Sequence, residues 1–477
     1  MGVSVLNDGS LEFLFYPRSI ALVGLSISNT EHWTRTFLDS LVESKFEGPL
    51  YPVNPRGGEF EGLKVYPSLQ DIPGTVDYAI GLVSAQASPG VVGECADKGV
   101  RAVHFCTSGF SETGEEERAR LEARVAEVAR QNHVRVLGPN CMGIYCPKSR
   151  LSFNPAFPRE SGAVGYISQS GGNAIHVVRQ SMLLGVRFSK VISYGNACDL
   201  NESDFIEYLA GDADTKIIAM YIEGVKDGRR FVKALEKATK EKVVILLKGG
   251  LTEGGARAAA GHTAALAGSK VAWDSLCRQL GIIRVDSVDQ LTDVLVTLSF
   301  MPRPKGRNVA LIGVGGGASV LITDEFEKRG LRVPRLPQEI TDKLREFIPV
   351  AGNILRNPVD LSQNMMDPES VIKAIDIILQ WEGADFLVKF LRIVQLSRAE
   401  EQLSQIVKGF LAEDGAGVVP TAVVVDSSIV PEEAEGIFPL IQRCISSRLP
   451  VYHSFDSAAR AIDLVLSYYE RRGQMET

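Results

Sequence analysis

The 477-residue chain has no CxxC pair, no long apolar run and no surplus of positive charge. Its seven cysteines (95, 106, 141, 146, 198, 277 and 444) are odd in number and widely scattered. That pattern predicts reduced thiols in a cytoplasm rather than a disulfide framework or a zinc site. The longest apolar stretches, such as Val243–Leu247, are strand-sized and too short to span a bilayer. The opening MGVSVLNDGSLEFLFYPRS lacks a basic region followed by an apolar one, so no secretory signal is expected. A formal net charge of −7 argues against a general nucleic-acid or anionic-membrane surface. What remains, at 45% hydrophobic and 23% charged residues, is the composition of a soluble cytoplasmic globular protein.

The length exceeds what one hydrophobic core organises and predicts about three domains. Short β-branched runs alternate with helical patterns from end to end. The first round has strands at Ser19–Val23, Leu50–Val53, Tyr78–Val83, Ala102–Phe105 and Arg135–Leu137, with helices such as Glu115–Asn132 between them. The second has Ala163–Ser168, Phe188–Tyr194, Ile217–Ile222, Val243–Lys248 and Ile282–Val285. After the proline- and charge-marked segment Met301–Arg307, a third has Val309–Ile312, Leu331–Val333, Phe386–Phe390, Ala422–Val425 and Val451–Tyr452. Strand–helix alternation implies an α/β protein of three doubly wound parallel-sheet domains, at residues 1–150, 151–303 and 304–470.

Such sheets bind ligands beyond the carboxyl ends of their strands, so the turn after each first strand matters most. In the first round that turn starts Gly24-Leu25-Ser26, and the second strand ends in Asn54-Pro55-Arg56. An NAD site calls for an acidic residue there; an arginine suits a phosphorylated ribose, as in NADP or coenzyme A, or is simply solvated. In the second round Ile167-Ser168 runs through Gln169-Ser170-Gly171-Gly172 into a helix, and in the third Ile312 runs through Gly313-Val314-Gly315-Gly316-Gly317 into another. Both turns present backbone N–H groups and the positive end of a helix, the makings of an anion site. Close packing of helix on strand explains either turn alone. Gly313, Gly315 and Ala318 fit GxGxxG/A, but the strand that follows offers no acid, which disfavours a nicotinamide cofactor.

Residues Gly249–Gly268, GGLTEGGARAAAGHTAALAG, set one histidine, His262, in a run made mostly of glycine and alanine. Ordering so many glycines is entropically expensive, so the segment is expected either to approach something closely or to move. Alone, it reads equally as a flexible surface loop.

In this order over nearly the whole chain, YPVNPR (51–56), SGFSETGE (108–115), GPNCMG (138–143), SQSGG (168–172), YIEGVKDG (221–228), RAAAGHTAALAG (257–268) and NPVDL (357–361) resemble the NDP-forming acyl-CoA synthetases, in particular the α-type subunit of succinyl-CoA synthetase and its relatives. The resemblance implies a Rossmann-like CoA-binding domain followed by two flavodoxin-like ligase domains. It implies that inorganic phosphate attacks an acyl-CoA thioester, that His262 takes the phosphoryl group from the resulting acyl phosphate, and that Glu223 orients the imidazole. Ser170, Gly171 and Gly172, with Gly315, Gly316 and Gly317, match the helix ends that hold the phosphohistidine. Gly24, Ser26, Asn54, Pro55, Arg56, Ser84, Ser108, Gly109 and Asn140 match positions around CoA. No metal ligand is implied in this chain. ATP or ADP and Mg²⁺ are expected on a separate ATP-grasp β subunit, in an α2β2-type assembly, because only Glu470–Thr477 follows the third domain.

The match has departures. Gly261 replaces a serine before the histidine, Ala264 a glycine after it, and Ser84 a proline; the turn after Gly24 carries the bulkier Thr30-Glu31-His32-Trp33. They bear on CoA seating and loop seating more than on the phosphohistidine. A non-catalytic CoA-binding or regulatory subunit of the same fold is the alternative expectation. The acid itself is left open.

Overall fold

The computed structural model describes residues 11–27, 29, 31–263, 269–313, 315–361, 367–391, 419–425 and 434–475. Packing divides the chain into one unit of Met1–Met182 with Arg187–Asp286 and a second of Leu183–Val186 with Ser287–Thr477.

The first unit contains two large sheets. The strands of the first are β1 (Ile20–Val23), β2 (Leu50–Val53), β5 (Tyr78–Gly81), β6 (Ala102–Phe105) and β7 (Arg135–Leu137), all parallel, in the order β2-β1-β5-β6-β7. The expected five strands are all present. A small antiparallel hairpin, β3 (Gly58–Phe60) with β4 (Leu63–Val65), follows β2 and was not anticipated. Every residue of β1, β5 and β6 is buried, which is the two-sided burial that parallel strands under helices require.

The second sheet runs β13-β12-β11-β9-β10-β8. It comprises β8 (Gly143–Tyr145), β9 (Val164–Ser168), β10 (Phe188–Ser193), β11 (Ile217–Ile222), β12 (Val243–Lys248) and β13 (Ile283–Val285). The edge strand β8 is antiparallel to β10, and the other pairs are parallel. Too short to show alternation, β8 was not expected from the sequence. A capping box at Asn201 and Asp204 starts the helix Glu202–Gly211, and Asp227 caps Gly228–Glu241.

The second unit holds the third sheet, in the order β15-β16-β14-β17-β18-β19. Its strands are β14 (Val309–Ile312), β15 (Ile354–Leu355), β16 (Val359–Asp360), β17 (Phe386–Leu391), β18 (Thr421–Val425) and β19 (Val451–Tyr452). The expected strand Leu331–Val333 is reduced to a single bridge between Arg332 and Asn308. That segment lies along the start of β14, where the Val309 N–H donates to the Arg332 carbonyl at 2.8 Å, and β16 pairs at the other end of β14, with the Asn357 side chain bonded to the backbone of Val309, Leu311 and Pro334. The fold is the expected α/β class with mostly parallel sheets.

In each large sheet the chain leaves a central strand, forms a neighbour on one side, then crosses to the other: β1 to β2 then β5, β9 to β10 then β11, β14 to β16 then β17. Helices on the two sides of such a crossing diverge, which makes the carboxyl ends of β1, β9 and β14 the positions where a ligand site is expected.

Candidate functional site

Gly24 ends β1 with φ +91°, and a Cβ there would meet the carbonyl oxygen of Leu82 at 2.8 Å. Only glycine lets the chain turn there while lying against the end of β5. Beside this turn, at the switch point of the first sheet, is a cleft of about 720 Å³. Trp33, Val83, Ser84, Gln86, Cys106, Thr107, Ser108, Gly109, Thr113 and Arg118 contribute to its walls. Three of the expected CoA positions, Ser84, Ser108 and Gly109, therefore face one cavity. The others form a second group along the same strand ends. Asn54 donates its side-chain N–H to the carbonyl of Leu25 at 2.9 Å and accepts from the Arg56 N–H at 3.1 Å, while the Ser26 N–H donates to the Thr34 hydroxyl at 3.2 Å. Pro55 and Arg56 are exposed. Asn140 takes a different position. Its backbone N–H donates to the Thr107 carbonyl at 2.9 Å and its side chain to Asn196 at 3.3 Å, so it braces the cleft wall from behind.

Trp33 and Arg118 escaped the sequence reading as binding residues. A half-exposed tryptophan (49%) on a cleft wall is a flat surface for an adenine or another ring, and the Arg118 guanidinium is suited to phosphate. The signal available was a bulky tryptophan where a glycine-rich turn is usual. The thiol of Cys106 is pushed up to about 12 by burial, so it stays protonated and unreactive beside this cavity.

The loop that floors the cleft is held by a buried polar cluster. Glu112 accepts from the N–H groups of Gly109 and Phe110, and Glu122 from the N–H and hydroxyl of Ser111. The side-chain nitrogen of Asn196, which follows β10, donates to Glu112 at 2.6 Å and Glu122 at 2.8 Å. One asparagine from the second sheet thereby fixes the loop of the first.

At the switch point of the second sheet, β9 ends at Ser168 and the turn Gln169-Ser170 leads into the helix Gly171–Leu183. The Ser168 hydroxyl donates to the Ser170 carbonyl at 2.7 Å, and the Ser170 hydroxyl accepts from the Asn173 N–H at 3.3 Å. Gly171 has no room for a side chain, since a Cβ would lie 2.8 Å from Met142. The first-turn amides here lack intrahelical acceptors, as in any helix, and aim positive charge outward.

Glu223 lies next door, just past β11, and is only 3% exposed. Its backbone N–H and that of Gly224 donate to the Gln169 side-chain oxygen at 2.8 and 3.1 Å. Its backbone carbonyl accepts from Lys248 Nζ at 2.7 Å, and one carboxylate oxygen accepts from the Tyr221 hydroxyl at 2.9 Å. Lys248 also donates to the Gly249 carbonyl and sits over the Trp273 ring. Burial lowers the Lys248 ammonium to about 8, against the opposing pull of Glu223. Gln169, Tyr221 and Lys248 were not singled out from the sequence; their role depends on neighbours from three strands.

The glycine–alanine segment is not a loop throughout. Glu253–Thr263 is a helix, entered through Thr252, whose hydroxyl accepts from the Gly255 N–H at 3.0 Å. Arg257 pairs with Glu253 one turn earlier at 2.8 Å. The run Ala258-Ala259-Ala260 supplies the helix propensity that the flanking glycines lack. His262 is on the last turn, and residues 264–268, including Ala264, lie outside the described residues. This helix packs against the short 3₁₀ turn Ser111–Thr113, part of the loop that floors the cleft.

In the second unit Gly313 (φ +96°) ends β14, with the Phe390 carbonyl 2.6 Å from where its Cβ would be. Gly315 precedes the helix Gly316–Glu327, and Gly316 and Gly317 open it. Among the described residues no cluster of three or more His, Cys, Asp or Glu is placed to hold a metal ion, and no helix is long and apolar enough to cross a membrane.

Residues 18–147 match the family model of a CoA binding domain, and residues 161–298 that of a succinyl-CoA ligase like flavodoxin domain. The chain is 38% identical to the α subunit of ADP-forming acetate–CoA ligase II of Pyrococcus furiosus, over 79% of this chain and 81% of that one. It is 35% identical to the α subunit of ligase I of the same organism, over 96% and 98%. A solved acetyl-coenzyme A synthetase 1 of Ca. Korarchaeum cryptofilum, in complex with phosphate and ADP, is 30% identical and superposes with a TM-score of 0.81, covering 98% of each chain. With similarity sustained across all three sheets, the chain belongs to the NDP-forming acyl-CoA synthetases and is an α-type member of that family.

Proposed function

We propose that this chain is the catalytic α subunit of an acid–thiol ligase that interconverts acyl-CoA, ADP and inorganic phosphate with a carboxylic acid, CoA and ATP. The supporting observation is the packing of the His262 helix on Ser111–Thr113, because Thr113 is also a wall of the cleft with Ser84, Ser108 and Gly109. A thioester bound in that cleft would be next to the helix carrying the phosphoryl acceptor.

In this reading CoA lies along Gly24, Ser26, Asn54, Pro55, Arg56 and Ser84, with Ser108, Gly109 and the Asn140-braced wall around its thiol arm. Phosphate oxygen attacks the thioester carbon, the C–S bond breaks and CoA leaves as thiolate, giving an acyl phosphate. A lone pair of the His262 ring then forms the N–P bond, and the acid leaves with the electrons of the P–O bond. Glu223 accepts a hydrogen bond from the N–H of the other ring nitrogen, which fixes the tautomer and stabilises the imidazolium. The first-turn amides at Ser170, Gly171 and Gly172 neutralise phosphoryl charge, and Gly315, Gly316 and Gly317 open a helix end of the same chemistry in the second unit. ADP and Mg²⁺ belong to an ATP-grasp β subunit, in an α2β2-type cytoplasmic enzyme. Both Pyrococcus relatives are named as α subunits, which supports a partner.

The test is mass spectrometry of the chain after incubation with acetyl-CoA and inorganic phosphate. An acid-labile phosphate on His262 is expected, absent in His262→Ala. CoA binding without any adduct, from a panel of acyl-CoAs, would instead make the chain a non-catalytic CoA-binding subunit.

A further inference from the structure

A doubly wound sheet ordinarily seats a diphosphate on the free amides of the helix that follows its first strand. In the first sheet those amides are already used. Arg35, Thr36 and Phe37, which open the helix Arg35–Glu43, donate their backbone N–H groups to the carbonyls of His32, Trp33 and Thr34 at 2.9, 3.2 and 3.4 Å. The bulky segment that stands in for a glycine-rich turn thus closes the helix end on itself. An anion at the carboxyl end of β1 is left to side chains.

One side chain there is oriented for the task. The Ser26 N–H donates to the Thr34 hydroxyl at 3.2 Å, and that hydroxyl lies 2.9 Å from His32 Nδ1. The Thr34 N–H donates to the same Nδ1 at 3.4 Å. A ring nitrogen that accepts from a backbone amide carries no proton, so the hydroxyl donates to it as well and the neutral ring holds its proton on Nε2. Among the described residues Nε2 has no hydrogen-bond partner, and the ring is partly exposed. Its centroid is 5.8 Å from that of Trp33, a wall of the cleft. Leu25, the neighbour of Ser26, is tied through the Asn54 side chain to the Arg56 N–H, so His32 and Arg56 both start within a short hydrogen-bonded path of the turn after Gly24.

We propose that His32 is a phosphate-binding residue of the CoA cleft: its Nε2–H takes the place of the helix amides as donor to the CoA diphosphate. The inference rests on the CoA reading above and deepens it. Two hydrogen bonds on Nδ1 fix the orientation of the ring before a ligand arrives, so little side-chain freedom is lost on binding. A donor aimed at a charged phosphate oxygen makes a stronger bond than one aimed at a neutral acceptor, and it needs no charge on the ring.

The experiment uses the full chain and CoA. By isothermal titration the Kd of His32→Ala is expected about tenfold above that of wild type. His32→Gln, whose amide N–H can stand where Nε2 does, should remain within about threefold. Phosphorus NMR at saturating CoA separates the diphosphate from the 3′-phosphate. Wild type should displace the diphosphate resonances, and His32→Ala should lose most of that displacement while the 3′-phosphate resonance stays where wild type has it. Both variants should label at His262 with acetyl phosphate as wild type does, since that donor bypasses CoA. If wild type binds CoA and His32→Ala binds it within twofold as tightly, only this inference falls. Weaker binding with the diphosphate displacement retained would mean that the ring shapes the turn without touching phosphate, and overturns it equally. If wild type itself does not bind CoA, the reading of the cleft falls and the inference with it.

Discussion

Replacing Asn196 by alanine probes the floor of the CoA cleft without touching a residue on its wall. The Asn196 side chain is 2% exposed and its amide donates to Glu112 and Glu122, each oxygen within 2.8 Å of the same nitrogen. A hydrogen bond to a carboxylate is worth about 1.5–3 kcal/mol. Two such bonds set an upper limit near 6 kcal/mol, but Glu122 keeps the Ser111 hydroxyl and Glu112 keeps two backbone N–H groups, which offsets part of the loss. The two oxygens lie less than about 6 Å apart, and without the amide their repulsion at an effective dielectric of about 20 adds on the order of 3 kcal/mol before relaxation. The loop can relax toward solvent, so about 3 kcal/mol of lost local stability is the expected net. The chain has two packing units, so a single global unfolding energy is ill-defined and a local measurement is needed. Hydrogen exchange at the Gly109, Phe110 and Ser111 amides, which donate into this cluster, reads the loss directly and should accelerate roughly 100-fold. Exchange along β11 should not change. Acceleration of the loop amides by less than threefold would refute the reasoning, because the carboxylates would then be satisfied without Asn196.

Gly24→Ala should raise the KM for CoA at least tenfold and destabilise the first unit by about 1–3 kcal/mol, since φ +91° is strained for alanine and its Cβ strikes the Leu82 carbonyl; labelling of His262 by acetyl phosphate should survive, and isothermal titration with CoA checks the first effect. Trp33→Ala should weaken CoA binding about tenfold with little change in melting temperature, because the ring is half exposed on the cleft wall; a melting point lowered together with unchanged affinity would assign the ring to packing instead. Lys248 has a folded value of about 8, below its ordinary 10.5, so the folded state loses its proton first and stability rises as pH moves from about 8 to 10.5; denaturant titrations at pH 7.5 and 10 should show wild type gaining on Lys248→Met across that window. Burial raises Asp293, in the helix Val288–Phe300, to about 7 against the pull of Arg460, so its favourable contribution is full below pH 3.8 and lost as pH rises through 7; Asp293→Asn should gain on wild type in thermal stability between pH 5 and 8.

The sequence by itself determined the class and order of the fold. Alternating β-branched runs and helical patterns can bury their apolar faces only as parallel sheets covered on both sides, and the main strands fall where the runs are. It also determined which turns close on a helix end, because Gly24, Gly171 and Gly313 stand where any side chain would collide. Short edge elements were illegible. The strands β8 and β16 are too brief to carry a period, and the run Leu331–Val333 looks like a strand but makes only the Arg332–Asn308 bridge at the start of β14. The glycine–alanine segment looked like a loop because its glycines suggest freedom; three alanines and the Thr252 cap make much of it helix.

The tertiary structure decided how the residues combine. Ser84, Ser108 and Gly109 share one cleft, whereas Asn140 stands behind its wall, a division no spacing in the chain records. Glu223 was visible in the motif, but its surroundings were not: Gln169 from β9, Tyr221 from β11 and Lys248 from β12 converge on it only because parallel strands end side by side. Sequence specifies which groups are present and which backbone turns are possible. Hydrogen-bond partners more than fifty residues apart, such as Gln169 with Glu223 and Asn196 with Glu122, exist only once the sheets have brought their carboxyl ends together.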